Sequence, residues 1–298
     1  MNAPVYTLRT LLTGLIDYAG LFPPARLDMK PAVEEFARQR LGDESWMLGR
    51  FVVPLSRLDE FEHAARVLLP RAGDGPWRLS ALAGADPSAD RERIDRFNAE
   101  YSGRAIIDAV EVKAPAPEDI DRLAPSFQGL EAYFEIPWDL DPRPFVPALR
   151  RVGGRGKIRT GGITPDLIPP AKHVARFIHT LGHEQIPFKA TAGLHHPLRG
   201  EYPLTYDEDA ERGTMFGFLN VFLAATFAQQ GILDQAALEE LLEERSAAVF
   251  RFDEDHVAWR EHEVDVAALA LARKLVATSY GSCSFAEPLD DLKALNLM

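Results

Sequence analysis

A chain of 298 residues, 46% hydrophobic and 26% charged, has an ordinary globular composition and enough length for a sizeable core without metal or disulfide staples. Its formal net charge of −12 argues against nucleic acid or an anionic membrane surface as the main partner. The single cysteine, Cys283, cannot form an internal disulfide, which fits a reducing, cytoplasmic setting, and no apolar run of about 18 residues is present to span a membrane.

The opening residues lack a basic segment ahead of a long apolar core, so no secretory signal is expected. From there one pattern repeats. The apolar run "GLIDYAGLF" (14–22) ends at Pro23-Pro24, and "MKPAVEEFARQRL" (29–41) follows with helical spacing that sets Val33, Phe36, Ala37 and Leu41 on one side. Strand-like 46–54 precedes helical 58–69, then 77–84 precedes 89–101, and 105–114 precedes 117–127. The next pairs are 130–137 with 144–153 and 156–162 with 170–182. A seventh strand, 187–194, is followed after a longer segment by an apolar helix near 213–230.

Short apolar strands alternating with amphipathic helices mean βαβ units and a parallel sheet. Seven such units at even spacing favour an α/β fold of the closed (β/α)8 TIM type over an open sheet, and no Gly-rich dinucleotide fingerprint follows the first strand. Residues 1–298 are expected to form one barrel domain. The eighth strand has two candidate positions: 247–255, followed by a helix over 264–280, or a shorter and later strand, with 247–263 an inserted hairpin. The polar linker 198–212 is either a lid over the barrel mouth or a solvated loop.

Barrel active sites lie at the C-terminal ends of the strands. There the first strand carries Asp17, the fourth Asp108 and Glu111, the fifth Glu135, the sixth Lys157, Arg159 and Thr160, and the seventh Lys189 and Thr191, with His195 and His196 just beyond. Residues two apart on a strand share a face, so Lys157 points with Arg159 and Lys189 with Thr191. If those faces turn inward, two lysines and an arginine meet several carboxylates in one interior. One outcome is a satisfied ion-pair network. The other is chemistry, because a second ammonium and desolvation both lower a lysine's pKa. A neutral amine attacks a carbonyl to form an iminium, and a carboxylate such as Asp108, Glu111 or Glu135 relays protons. Arg159, His195 and His196 would bind an anionic or hydroxylated substrate, with Asp17, Glu135, Thr160 and Thr191 as further contacts.

The motifs carry a resemblance. "LIDYAGLFPPA" (15–25), "IIDAVEV" (106–112), "KIRTGG" (157–162) and "KATAGL" (189–194) are similar to the first, fourth, sixth and seventh strands of the 2-deoxyribose-5-phosphate aldolase family. The resemblance implies a class I aldolase in which Lys157 forms the Schiff base, Lys189 perturbs it and Asp108 serves in proton relay. Two departures stand out. Arg159 occupies the middle of the sixth-strand motif, where the family has a small residue. The seventh strand runs into His195-His196-Pro197 without a second glycine, which argues against a phosphorylated substrate. The tail "SYGSCSF" (279–285) is an anion nest or a turn.

A competing reading is a metal-dependent isomerase or lyase. Glu111, Glu135, His195 and His196 are ligand types that a divalent metal accepts, although no HxH or HExxH spacing is present. A third reading is a barrel that binds a small metabolite without catalysis. The lysine reading needs a small-molecule substrate and no cofactor, and the apolar helix at 215–228 leaves room for a homo-oligomer. Cys283, in a Ser/Gly-rich stretch, reads as a small residue rather than a nucleophile.

Overall fold

The run Leu48–Pro54 shows how this sequence makes a barrel strand. Phe51 and Val53 are fully buried, and Phe51 packs its ring against Phe36 and Phe61 of the surrounding helices. Arg50 and Val52, on the other face, turn into the barrel. Burial on both faces is why these runs read as near-continuous apolar stretches rather than alternating ones.

The computed structural model describes residues 4–71 and 73–298. A short helix α1 (Tyr6–Leu12) precedes β1 (Ile16–Tyr18). There follow α2 (Met29–Arg40), β2 (Leu48–Pro54), α3 (Leu58–Ala65), β3 (Trp77–Leu82), α4 (Pro87–Glu100) and β4 (Ala105–Lys113). Next come α5 (Pro117–Leu123), β5 (Glu131–Glu135), α6 (Val146–Val152), β6 (Arg155–Arg159), α7 (Ala171–His183) and β7 (Phe188–Thr191). The connection to the last barrel strand is the elaborate one. It holds a hairpin of β8 (Gly200–Pro203) and β9 (Arg212–Met215), then α8 (Phe218–Gln229) and α9 (Gln235–Glu243). A three-stranded antiparallel sheet of β10 (Phe250–Phe252), β11 (His256–Trp259) and β12 (His262–Asp265) comes next, then α10 (Val266–Leu275). The strand β13 (Ala277–Ser282) closes the barrel, and α11 (Ala286–Ala294) follows it.

The barrel is closed and every pair in it is parallel, in the order β1-β13-β7-β6-β5-β4-β3-β2. This is the (β/α)8 TIM-type fold. Of the two positions considered for the eighth strand, the later one holds. Residues 247–255 contribute Phe250–Phe252 to the outer antiparallel sheet, and the helix expected over 264–280 ends at Leu275 and gives way to β13. The first strand is also shorter than its apolar run, since only Ile16–Tyr18 pairs. Leu41 caps α2 and is exposed rather than facing the core. The apolar helix α8 is covered within the chain by α7, α9, α10 and β13. Among the described residues no helix is long and apolar enough to cross a membrane.

The interior of the barrel is ionised. At its amino-terminal end, Arg50 Nε donates to Asp108 Oδ1 at 2.6 Å and its Nη2 to Glu131 Oε2 at 2.9 Å. Arg155 pairs with Glu131 at 3.2 Å and Arg78 with Asp108 at 2.5 Å. Glu131 and Arg155 open their strands, which places this layer away from the mouth.

Candidate active site

A second ionised layer lies nearer the mouth. In register, Glu135 of β5 sits beside Lys157 of β6, and Lys157 beside Lys189 of β7. Ser279 of β13 is the next neighbour of Lys189. Aligned residues on adjacent strands share a face, so these side chains enter one interior. Lys189 Nζ donates to Asp17 Oδ2 at 2.7 Å and to Glu111 Oε1 at 2.6 Å. Lys157 Nζ lies 2.7 Å from Glu111 Oε2 and 2.8 Å from Glu135 Oε2. The result is an alternating chain, Asp17–Lys189–Glu111–Lys157–Glu135, with one carboxylate more than ammonium groups. Hydroxyls and amide complete it: Ser80 Oγ donates to Glu111 Oε1, Ser279 Oγ to Asp17 Oδ2, and Arg50 N–H to Asp17 Oδ1, each at 2.8 Å.

The electrostatics follow from this bridging. Burial alone would raise the Glu111 carboxyl, but the ammonium groups of Lys157 and Lys189 hold it well below the usual carboxylate range. Burial alone would lower Lys189, but Asp17 and Glu111 hold it above an ordinary lysine, with the Tyr133 ring 5.4 Å from Nζ. The two ammonium groups therefore do not face one another unshielded. The expectation that Lys189 acts on Lys157 by direct repulsion is replaced by a shared counter-ion, Glu111, that takes one lysine on each oxygen.

Asp108 is not part of this chain. It lies in the amino-terminal layer with Arg50 and Arg78, and the carboxylate that the fourth strand places between the lysines is Glu111. Both side chains reach the interior although they are three residues apart, because the β3–β4 register skips Asp108 and resets the alternation.

Above the ionised chain lies a cavity of about 310 Å³. Lys157 and Glu111 line it, and Lys189 is fully buried behind them. Arg159, Thr191 and His195 also line it, whereas Asp17, Thr160 and His196 do not, and Glu135 meets it through Lys157. The β6 and β7 loops make a tight wall. Gly193 has φ +74°, and a Cβ on Gly161 or Gly193 would come within 3.0 Å of the other's Cα. Thr160 Oγ1 donates to Ala192 O at 2.7 Å and pins the two loops together.

A second cluster borders the same cavity. Cys283 follows directly from β13, and its Sγ lies 3.9 Å from His195 Nδ1 and 3.5 Å from Tyr206 Oη. Glu287 of α11 joins both, 3.2 Å from His195 Nδ1 and accepting from Tyr206 Oη at 3.1 Å. Tyr206 belongs to the 198–212 segment, whose Leu204 also lines the cavity, so the hairpin of β8 and β9 reaches over the mouth. His196 turns away, 2.6 Å from Asp291 Oδ2 and stacked on Tyr202 of β8 with ring centroids 3.5 Å apart. Cys283, Tyr206 and Glu287 were not among the residues expected from sequence. Locating the last strand at Ala277–Ser282 would have put Cys283 at a strand's C-terminal end, the one signal that points to it.

Burial alone would push the His195 ring down, but Cys283 and Glu287 outweigh it and raise the ring from 6.5 to about 10. Burial alone would raise the Cys283 thiol, but His195 holds it below the ordinary 9.0. The ring's stabilisation is therefore full below 6.5 and is lost as pH rises through about 10. The thiol contributes with the opposite sign, fully above 9.0 and fading as pH falls, so it offsets part of the ring's loss only below 9.0. In urea unfolding, the protein should exceed His195→Gln by on the order of 3 kcal/mol near neutral pH. That margin should shrink towards a pH of about 10. A margin independent of pH would show that the ring is not charged.

Among the described residues no group of three or more His, Cys, Asp or Glu side chains could hold a metal ion. Glu111 and Glu135 are engaged by lysines, whereas His195 pairs with Glu287 at 3.2 Å and His196 with Asp291 at 2.6 Å and, more distantly, Glu287 at 4.0 Å. The four residues considered for a divalent metal thus do not form one site. The fold and the site define the class as a (β/α)8 barrel with an ionised interior and a lysine-bearing cavity at its C-terminal mouth. No protein-family model matches the chain, and comparison with curated proteins gives no match.

Proposed function

We propose that the protein is a class I, aldolase-like carbon–carbon lyase acting on a small carbonyl compound, with Lys157 as the Schiff-base nucleophile. The observation that carries this reading is the position of Lys157: it is the amine that reaches the cavity, and its Nζ is held between Glu111 and Glu135. The barrel fold, whose C-terminal mouth commonly houses enzyme sites, and the resemblance of the four strand motifs to the 2-deoxyribose-5-phosphate aldolase family support it. Glu111 takes the proton-relay role that the resemblance implied for Asp108.

The Lys157 ammonium passes a proton to Glu135 or Glu111, and the free amine adds to the substrate carbonyl. The carbinolamine loses water and becomes an iminium. A carboxylate removes the proton of the β-hydroxyl, the bond between the α and β carbons breaks, and its electron pair moves into the iminium to give an enamine and a free aldehyde. The enamine takes a proton at carbon, and water hydrolyses the resulting iminium, restoring Lys157. Lys189, out of reach of substrate, keeps Glu111 ionised and in place.

Incubation with small aldehydes and keto acids in the presence of borohydride should add the reduced ligand's mass to Lys157 in a digest. An adduct on Lys189 would reassign the nucleophile, and no adduct with any carbonyl would remove the Schiff-base reading.

A further inference from the structure

The polar groups on the cavity wall are almost all spoken for. Glu111 holds two ammonium groups and Ser80, and Lys157 holds two carboxylates. Thr191 Oγ1 donates to Ile158 O at 3.4 Å, and His195 and Cys283 engage each other, Glu287 and Tyr206. Arg159 is the exception: it lines the cavity, is exposed, and has no hydrogen-bond or salt-bridge partner among the described residues. The remaining wall is apolar, with Phe22 after β1, Val52 and Leu82 at the ends of β2 and β3, Ile163 beyond β6, and Leu204 and Met215 from the hairpin.

Position orders these features. Lys157 and Arg159 are two apart on β6 and share its inward face, with Cα atoms roughly 6–7 Å apart. Lys157 is buried and Arg159 exposed, so a ligand that meets both has its carbonyl deep and its other end at the rim. Between them it touches carbon. A hydroxyl desolvated on such a wall without a partner costs about 1–3 kcal/mol, and a polyhydroxylated chain would incur that several times over. A planar guanidinium free of partners matches one carboxylate in two-point geometry. A phosphate dianion would find a single unpaired cation in this lining.

Resting on Lys157 as the reacting amine, we infer that the substrate is an otherwise apolar oxo acid: an alkyl or aryl carbonyl compound with the single β-hydroxyl that cleavage needs, whose carboxylate is held by Arg159 at the cavity rim, not a sugar or sugar phosphate.

The test separates ligand class from lysine chemistry. Phenylpropanoate, its uncharged amide and glycerol phosphate, none of which can form a Schiff base, are titrated calorimetrically into the protein and into Arg159→Gln. Phenylpropanoate should bind the protein more tightly than either of the other two. Its affinity should fall about tenfold or more in Arg159→Gln, while that of the amide stays the same. Tighter binding of glycerol phosphate, or equal binding of phenylpropanoate to the two proteins, would overturn the inference. A methyl-ketone analogue of hexanoate is then trapped with borohydride. An adduct on Lys157 completes the assignment. Carboxylate binding of the expected pattern without any adduct would refute the lysine chemistry and leave the ligand class standing.

Discussion

Lys157→Ala should form no borohydride adduct and should lose turnover of any substrate by about a thousandfold or more, while the barrel still folds. The fold survives because the partners left behind are not stranded. Glu111 keeps Lys189 and the Ser80 hydroxyl. The Glu135 side chain retains 16% exposure and can be hydrated through the vacated space. A loss of ~2 kcal/mol in unfolding free energy is the expected scale. Lys157→Arg separates charge from nucleophilicity. A guanidinium stays protonated under all working conditions, so it can pair with Glu111 and Glu135 but cannot add to a carbonyl. Near-native stability without an adduct in Lys157→Arg, beside a soluble but inert Lys157→Ala, would assign the amine itself to the reaction. Trapping that persists in both variants would move the nucleophile elsewhere.

Much of the barrel is legible in the sequence because its strands are buried on both faces. The runs that became β2 to β7 are apolar, bounded by turn residues and spaced by amphipathic helices. The last strand is not legible for a physical reason. "VAALALARKL" is a strong helix former that runs into Ala277 without an intervening glycine or proline. The strand that follows, "ATSYGS", is made of small and polar residues because its inward positions meet Asp17 through Ser279 and the cavity through Gly281. A helical pattern therefore overran a strand that carries little β signal of its own. The site divides in the same way. Lys157 and Lys189 could be placed in one interior by period-two alternation on adjacent strands. The choice between Asp108 and Glu111 could not, because a register shift inside β4 lets both reach the interior, one in each layer. The Cys283–His195–Glu287–Tyr206 cluster joins three stretches of chain, at His195, at Tyr206 and at Cys283 to Glu287, and only the closed fold brings the last to the other two.

Lys189→Met is the substitution expected to damage the fold most. Methionine fits the space of the lysine stem, so the loss is one of charge rather than volume. Asp17 is left with the Ser279 hydroxyl and a backbone N–H, and Glu111 with Lys157 and Ser80. Three carboxylates then share one ammonium in an interior where Asp17 is 1% and Glu111 5% exposed. Removing one partner of a buried pair destabilises by about 3–5 kcal/mol, which is a large part of a typical domain's stability. The pH dependence should change with it. In the intact protein Glu111 is held below its ordinary 4.5, so its contribution is present above 4.5 and is lost as pH falls further. Without Lys189 that depression weakens, so the variant's deficit in urea unfolding should narrow on acidification. A second substitution decides whether charge is the cause. Asp17→Asn on the Lys189→Met background removes the carboxylate that lost its only ammonium and returns the cluster to a single excess negative charge. If electrostatics governs the layer, the double variant is more stable than Lys189→Met alone even though it lacks one more native group, and the coupling between the two positions is ~1–3 kcal/mol. Equal or lower stability in the double variant would mean that Lys189 holds the barrel by packing, and the shared-carboxylate account of Lys157 would lose its electrostatic basis.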